Sequence, residues 1–200
     1  MNGKHLNMIR QLKMMTFEGY MSIYNAIAAK APCNFLVFGV GRDTGLWLSI
    51  NSGGKCLFLE DSGKWIRTLQ HEYAYLKDMN IIKVKYNSHV RQASSMLTEF
   101  KNGNKNILDM ELPEEVANTQ WDIILVDGPF GKVPKSGDYK TKSPGRMKSI
   151  YAAYKLTLES NNSPLIFIHD CERPVEAEYC DFFFGSNFEL IDGSLRSYKL

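Results

Sequence analysis

An α/β fold, with a mostly parallel sheet and an antiparallel hairpin at its C-terminal end, is predicted for this 200-residue chain. Three observations predict it. Five short apolar runs alternate with segments of helical periodicity. Each run is bounded by turn-forming residues. The last stretch, Phe188-Glu-Leu-Ile-Asp192-Gly193-Ser-Leu-Arg-Ser-Tyr-Lys199, breaks the alternation and carries a hairpin signal, with Asp-Gly at its turn.

A helical pattern comes first. Residues 9–29 form a helical prelude whose Met, Phe and Tyr residues share an apolar side. Strands are expected at 34–40, 55–60, 81–86, 122–126 and 165–168, all rich in β-branched or aromatic residues. Between them, residues 62–73 put Trp65, Ile66, Leu69 and Tyr73 on one helical face. Residues 92–100 do the same with Ala93, Met96, Leu97 and Phe100, and 146–158 with Met147, Ile150, Tyr151, Tyr154 and Leu158. These stripes read as core rather than as ligand-binding boxes. Strand–helix alternation implies parallel strands joined by right-handed crossovers. With the two hairpin strands the sheet has seven, and helices cover both faces. This is the Rossmann-like plan of class I methyltransferases. Residues 1–200 read as a single domain, with 1–30 as its helical prelude.

Composition sets further bounds. The chain is 44% hydrophobic and 23% charged, which suits a globular protein. A net charge of only +2 argues against a protein that coats nucleic acid. Cys33, Cys56, Cys171 and Cys180 form no Cys-x-x-Cys pair, so a structural zinc site is not expected. Cys33 and Cys56 read as small buried hydrophobes, while Cys171 and Cys180 are open to pairing. No apolar run approaches a membrane span. Met1-Asn-Gly-Lys-His5 lacks a signal-peptide core. The chain reads as soluble as written, either cytoplasmic or deprived of an anchor.

The chemistry concentrates at strand ends. In an open α/β sheet, ligands bind beyond the carboxyl ends of the strands. The first strand runs into Phe38-Gly39-Val40-Gly41-Arg42-Asp43-Thr44-Gly45, where glycines let a ligand approach the backbone. The third glycine falls one residue later than the dinucleotide pattern places it, where that pattern would replace Thr44. The second strand ends in Glu60-Asp61, about twenty positions on, which suits a carboxylate accepting from ribose hydroxyls. Together these favour an adenosyl-type cofactor held by Gly39, Gly41, Asp43, Glu60, Asp61 and Asp127. No phosphate-binding Gly-Lys-Ser/Thr loop and no Gly-x-Ser-x-Gly elbow is present.

The fourth strand, Trp121-Asp-Ile-Ile-Leu-Val-Asp127-Gly-Pro129, ends in a carboxylate, and the fifth ends in His169-Asp170. If the two strands are neighbours, these residues meet in one crevice. Methyl transfer to a hydroxyl needs its proton removed, by an imidazole or carboxylate or with help from a divalent cation. Asp127, His169 and Asp170 suit either scheme, with Asp127 and Asp170 as the metal ligands. Between the strands, residues 132–148 carry many cations, including Lys132, Lys135, Lys140, Lys142 and Arg146. They are read as recognising an acidic acceptor, Arg146 as a bidentate carboxylate partner.

These motifs, with Lys64-Trp65, Pro144-Gly-Arg-Met147, Ile150-Tyr151 and Arg173-Pro-Val-Glu176, resemble the glucuronoxylan 4-O-methyltransferase family from Phe17 onward. The resemblance implies an S-adenosylmethionine-dependent enzyme that methylates the 4-hydroxyl of glucuronic acid in a glycan. It implies cofactor binding by Gly39, Gly41 and Glu60, and an acceptor, with or without a divalent metal, near Asp127, His169 and Asp170. Arg146, Lys132 and Arg173 become the expected acceptor-binding cations. The chain departs from the family in a longer 128–143 loop, in Arg42 where His is frequent, and in lacking the anchor of Golgi members. A Golgi-lumen origin is implied if such an anchor was removed. The alternatives kept open are a metal-dependent small-molecule O-methyltransferase and a non-catalytic glycan-binding protein.

Overall fold

A computed structural model of the protein describes residues 3–133 and 143–199. The chain opens with α1 (Gly3–Gln11) and α2 (Phe17–Lys30), then β1 (Asn34–Phe38), α3 (Thr44–Ile50), β2 (Lys55–Glu60), α4 (Gly63–Glu72) and β3 (Ile81–Lys83). It continues through α5 (Ala93–Lys101), the short α6 (Glu114–Ala117), β4 (Ile123–Val126), α7 (Met147–Leu158), β5 (Leu165–Ile168), α8 (Pro174–Phe184), β6 (Glu189–Leu190) and β7 (Arg196–Lys199).

The strands form one seven-stranded sheet in the order β3-β2-β1-β4-β5-β7-β6. The first five pair in parallel, and β7 runs antiparallel to both β5 and β6. β1 and β4 are almost wholly buried, as expected of parallel strands covered on both faces. Side chains alternate across them. Phe35, Val37, Ile123, Leu125 and Phe167 pack towards α1–α4. Leu36, Phe38, Ile124, Val126, Ile166 and Ile168 pack towards α5, α7 and α8. Among the described residues, no helix is long and apolar enough to cross a membrane.

Three expectations need correction. The prelude is two helices, because residues 12–16 leave the helical path and Thr16 caps α2, its Oγ1 accepting from Gly19 N at 3.0 Å. α8 was not anticipated. Its Pro174 occupies the first turn, where a missing N–H costs nothing, and Tyr179, Phe183 and Phe184 bury against Phe100, Tyr151 and Tyr198. The hairpin turn is wider than a two-residue Asp-Gly turn. Asp192 Oδ1 accepts from Ser194 N and Leu195 N, its other oxygen accepts from the Thr16 hydroxyl, and Gly193 takes φ +85°.

Register decides where the chemistry falls. Phe38 pairs with Leu59 and with Val126, and Val126 pairs with Ile168. The next residues in each strand, Gly39, Glu60, Asp127 and His169, therefore leave the sheet at one level along one edge.

Candidate active site

That edge is the floor of a cleft of about 1170 Å³, lined by Gly39, Gly41, Asp43, Glu60, Asp61, Asp127, Arg146, His169, Asp170 and Arg173 among others. The structure thus brings together the strand-end residues singled out from sequence. Lys132 is exposed and does not line the cleft. Lys135, Lys140 and Lys142 lie outside the described residues.

The β1 end is built for close approach. Gly39 has φ +117°, and a Cβ there would stand 3.2 Å from the Asp127 carbonyl carbon. Only glycine takes that conformation without strain. A Cβ on Gly41 would stand 2.5 Å from Asp43 Oδ1, so glycine at 41 is what makes room for the Asp43 carboxylate. Glu60 ties β2 to this turn: Oε2 accepts from Val40 N at 3.2 Å and Oε1 from Ser62 N at 2.8 Å. Burial pushes the Glu60 carboxyl up to about 7. Burial, then the charge of Asp127, pushes the Asp43 carboxyl to about 7 as well.

Trp65, read from sequence as core, packs partly buried against it and also lines the cleft. Its Nε1 donates to Val40 O at 2.8 Å. The helical stripe alone could not separate it from Ile66 and Leu69. The segment 84–89 after β3 and Phe130 after β4 also line the cleft. The third strand, expected over 81–86, stops at Lys83, so residues 84–86 line the cleft instead of extending the sheet.

At the β4 and β5 ends, His169 Nδ1 lies 2.9 Å from Asp127 Oδ1. Burial alone would raise the Asp127 carboxyl, but the His169 hydrogen bond and the charges of Arg146 and His169 hold it below its usual value. Burial alone would lower His169, yet Asp127 and then Asp170 raise it. With Nδ1 engaged by Asp127, Nε2 is the ring nitrogen available to a ligand. Asp170 takes φ +64°, a left-handed conformation that Asp tolerates better than most residues.

Arg146 is not free to clamp a ligand carboxylate as expected. It is 5% exposed. Nε donates to Pro129 O (3.3 Å), Nη1 to His169 O (2.6 Å), and Nη2 to Asp127 O (3.0 Å) and Oδ1 (3.2 Å). Nη2 also lies 2.5 Å from Asp170 Oδ2. Its fork of donors is spent on the protein, which makes it the brace of both strand ends. Arg173 is the more open cation, with 30% of its side chain exposed and Nη2 at 2.8 Å from Asp170 Oδ1.

Asp127, His169 and Asp170 place donor atoms within 4.8 Å of one another, a set of the type that holds divalent cations. In this arrangement both Asp170 oxygens meet guanidinium groups, and Asp127 Oδ1 is shared by His169 and Arg146. The positive charge a cation would bring is already supplied by two arginines. The expected metal site therefore does not fit a metal as these residues are arranged.

A mostly parallel sheet in this order, with an antiparallel seventh strand beside the fifth, is the class I methyltransferase fold. A methyltransferase-like protein from Silicibacter pomeroyi shares it, with a TM-score of 0.56 at 14% identity over 96% of this chain and 89% of that one. The chain belongs to the IRX15/IRX15L/GXM family, which it matches over residues 19–198. It is 34% identical over 200 residues to glucuronoxylan 4-O-methyltransferase 2 of Arabidopsis thaliana, covering 92% of this chain and 65% of that protein. It is 31% identical over 195 residues to arabinogalactan O-methyltransferase 2 of the same plant, covering 88% and 62%. The chain thus spans a little under two thirds of these relatives.

Proposed function

We propose that the protein is an S-adenosylmethionine-dependent O-methyltransferase acting on the 4-hydroxyl of a glucuronic acid residue in a glycan. One observation carries the reading: the glycine turn with Glu60 and the His169–Asp127 pair open into one cleft from neighbouring strand ends. Relatives whose names specify glucuronoxylan and arabinogalactan support the glycan acceptor.

The glycine turn, which lines the cleft through Gly39, Gly41 and Asp43, fits the cofactor. Gly39 and Gly41 would let it approach the backbone, Glu60 and Asp61 would accept from its ribose, and Asp43 would face its cationic end. When bound, S-adenosylmethionine supplies an electrophilic methyl group on a sulfonium. His169 Nε2, the ring nitrogen not engaged by Asp127, would take the proton of the acceptor hydroxyl. Asp127 keeps Nδ1 engaged and stabilises the imidazolium that results. Asp170 and Arg146 hold the pair in place, and Arg173 meets the uronate carboxylate.

Calorimetric titration with S-adenosylmethionine, followed by mass spectrometry of glucuronic-acid oligosaccharides for a gain of one methyl group, tests the proposal. Absence of cofactor binding by folded protein sinks it. An acceptor screen run with and without a chelator separates it from a metal-dependent small-molecule O-methyltransferase. Cofactor binding without turnover of any uronic acceptor would favour a glycan-binding protein that retains the fold.

A further inference from the structure

We propose that Phe130 is a platform for the acceptor sugar, which with Arg173 makes the site selective for a pyranose bearing a carboxylate. The inference rests on the O-methyltransferase reading above and names the part of the site that reads the acceptor.

Phe130 lines the cleft, yet the residue is 54% exposed. A single exposed apolar residue is ordinary on open surface; Phe130 differs in lying on the wall of the cleft that holds the candidate base. The exposure does not come from a loosely held backbone. The carbonyl of Asp127 accepts from Arg146 Nη2 (3.0 Å), that of Gly128 from Ser149 Oγ (2.8 Å) and that of Pro129 from Arg146 Nε (3.3 Å). The carbonyl of Phe130 itself accepts from Gly145 N (3.1 Å) and Ser143 Oγ (3.3 Å), and that of Lys132 from Ser143 Oγ (2.7 Å). The segment is fastened almost carbonyl by carbonyl to the start of α7, while the ring is left outside the core.

Arg173 completes the platform. Its Nη1 lies 3.4 Å from where a Cβ on Gly131 would stand, so the guanidinium borders the residue next to Phe130. Beneath it lies Glu176, fully buried, whose carboxylate oxygens have no hydrogen-bond partner among the described residues. Glu176 Oε1 is 3.9 Å from Arg173 Nη1. A Cβ on Gly131 would stand 2.3 Å from that oxygen, so glycine at 131 is what admits the Glu176–Arg173 stack. The cleft wall therefore pairs an exposed aromatic ring on a fastened backbone with a braced cation, in the cleft that His169 also lines.

A hexuronate has matching features. One face of a pyranose is a sheet of C–H groups whose positive ends suit the negative face of an aromatic ring. Its carboxylate suits a guanidinium fork. A planar phenol would use the ring and add no partner to Arg173 beyond the Asp170 and Glu176 it already meets. An acyclic acid would use the cation alone.

The test titrates a glucuronic-acid-substituted xylo-oligosaccharide into wild type, Phe130→Ala and Phe130→Trp, each saturated with S-adenosylhomocysteine, and in separate assays with S-adenosylmethionine alone measures KM for acceptor and cofactor. Phe130→Ala should weaken oligosaccharide binding and raise acceptor KM about tenfold, with the cofactor KM and Tm unchanged because the ring is exposed. Phe130→Trp should restore binding. Unchanged acceptor affinity in Phe130→Ala, alongside normal wild-type turnover, overturns the platform and leaves the O-methyltransferase reading intact. A wild type that ignores the oligosaccharide but binds a planar phenol through Phe130 overturns the pyranose assignment. A wild type that binds no cofactor removes the underlying reading as well.

Discussion

His169 Nδ1 and Asp127 Oδ1, from adjacent parallel strands, are 2.9 Å apart, and each sets the protonation of the other. Asp127 raises His169 above the ordinary imidazole value of 6.5 against the effect of burial. A raised imidazole keeps its proton to higher pH, so the neutral base appears only above that value. Turnover should therefore rise with pH along an acid limb that inflects above 6.5. His169→Ala should lower kcat by on the order of 10²-fold or more. Asp127→Asn should lower kcat and move the inflection to lower pH. A pH–rate profile whose acid limb is unmoved in Asp127→Asn would refute the pairing as the catalytic base.

Arg146 sits between two carboxylates and three backbone carbonyls, so its replacement should act on folding before binding. Breaking a buried, hydrogen-bonded pair costs about 3–5 kcal/mol. At roughly 2–4 °C per kcal/mol for a chain of this size, Arg146→Met should lower Tm by on the order of 10 °C. Thermal unfolding checks this. If Arg146 instead clamped the acceptor, the variant would keep its Tm and lose only acceptor affinity.

Gly39 and Gly128 hold the β1 and β4 ends together: a Cβ on Gly128 would stand 2.9 Å from the Gly39 Cα and 3.0 Å from Phe38 O. Both neighbours are backbone and cannot swing aside. Gly128→Ala should separate the two strand ends, lower stability by about 1–3 kcal/mol and weaken cofactor binding in the same variant. Gly53→Ala is the control, since Gly53 also has positive φ (+81°) but open space around it. Calorimetry and thermal unfolding on both variants would expose a false assignment through equal cofactor affinities.

Much of this architecture can be read from the sequence because parallel strands buried on both faces are continuous apolar runs, as in Phe35-Leu-Val-Phe38 and Ile123-Ile-Leu-Val126. Their polar terminators then fall on one edge by topology alone. What escaped reading depended on distance across the fold or on periodicity that misled. Met and Tyr residues continue across the break at 12–16, so two helices looked like one, although Thr16 was a visible cap. The Arg173-Pro-Val-Glu176 stretch drew attention as chemistry and hid the helix that Pro174 starts. Arg146 looked like a ligand clamp because its partners are mainly backbone carbonyls of Asp127, Pro129 and His169. No pattern of residue types announces a carbonyl, and only the folded chain assembles those three.

Asp43 and Glu60 give cofactor binding a pH dependence of definite sign. Each carboxyl is raised to about 7, burial being the first cause. The folded chain thus retains protons that the unfolded chain releases near 3.8 and 4.5. Stability from this source is complete below those values and is lost as pH rises through about 7. Binding runs the opposite way. A carboxylate accepting from ribose hydroxyls, or facing a cationic group, must be ionised. S-adenosylmethionine should therefore bind with proton release, its affinity rising about tenfold between pH ~6 and pH ~8 for each group that must ionise. Glu60→Gln should flatten one share of that rise and weaken binding at the upper end. Titration calorimetry in buffers of different ionisation heat measures the released protons directly. Constant affinity across the range with no proton release would show that neither carboxyl changes charge when the cleft is filled.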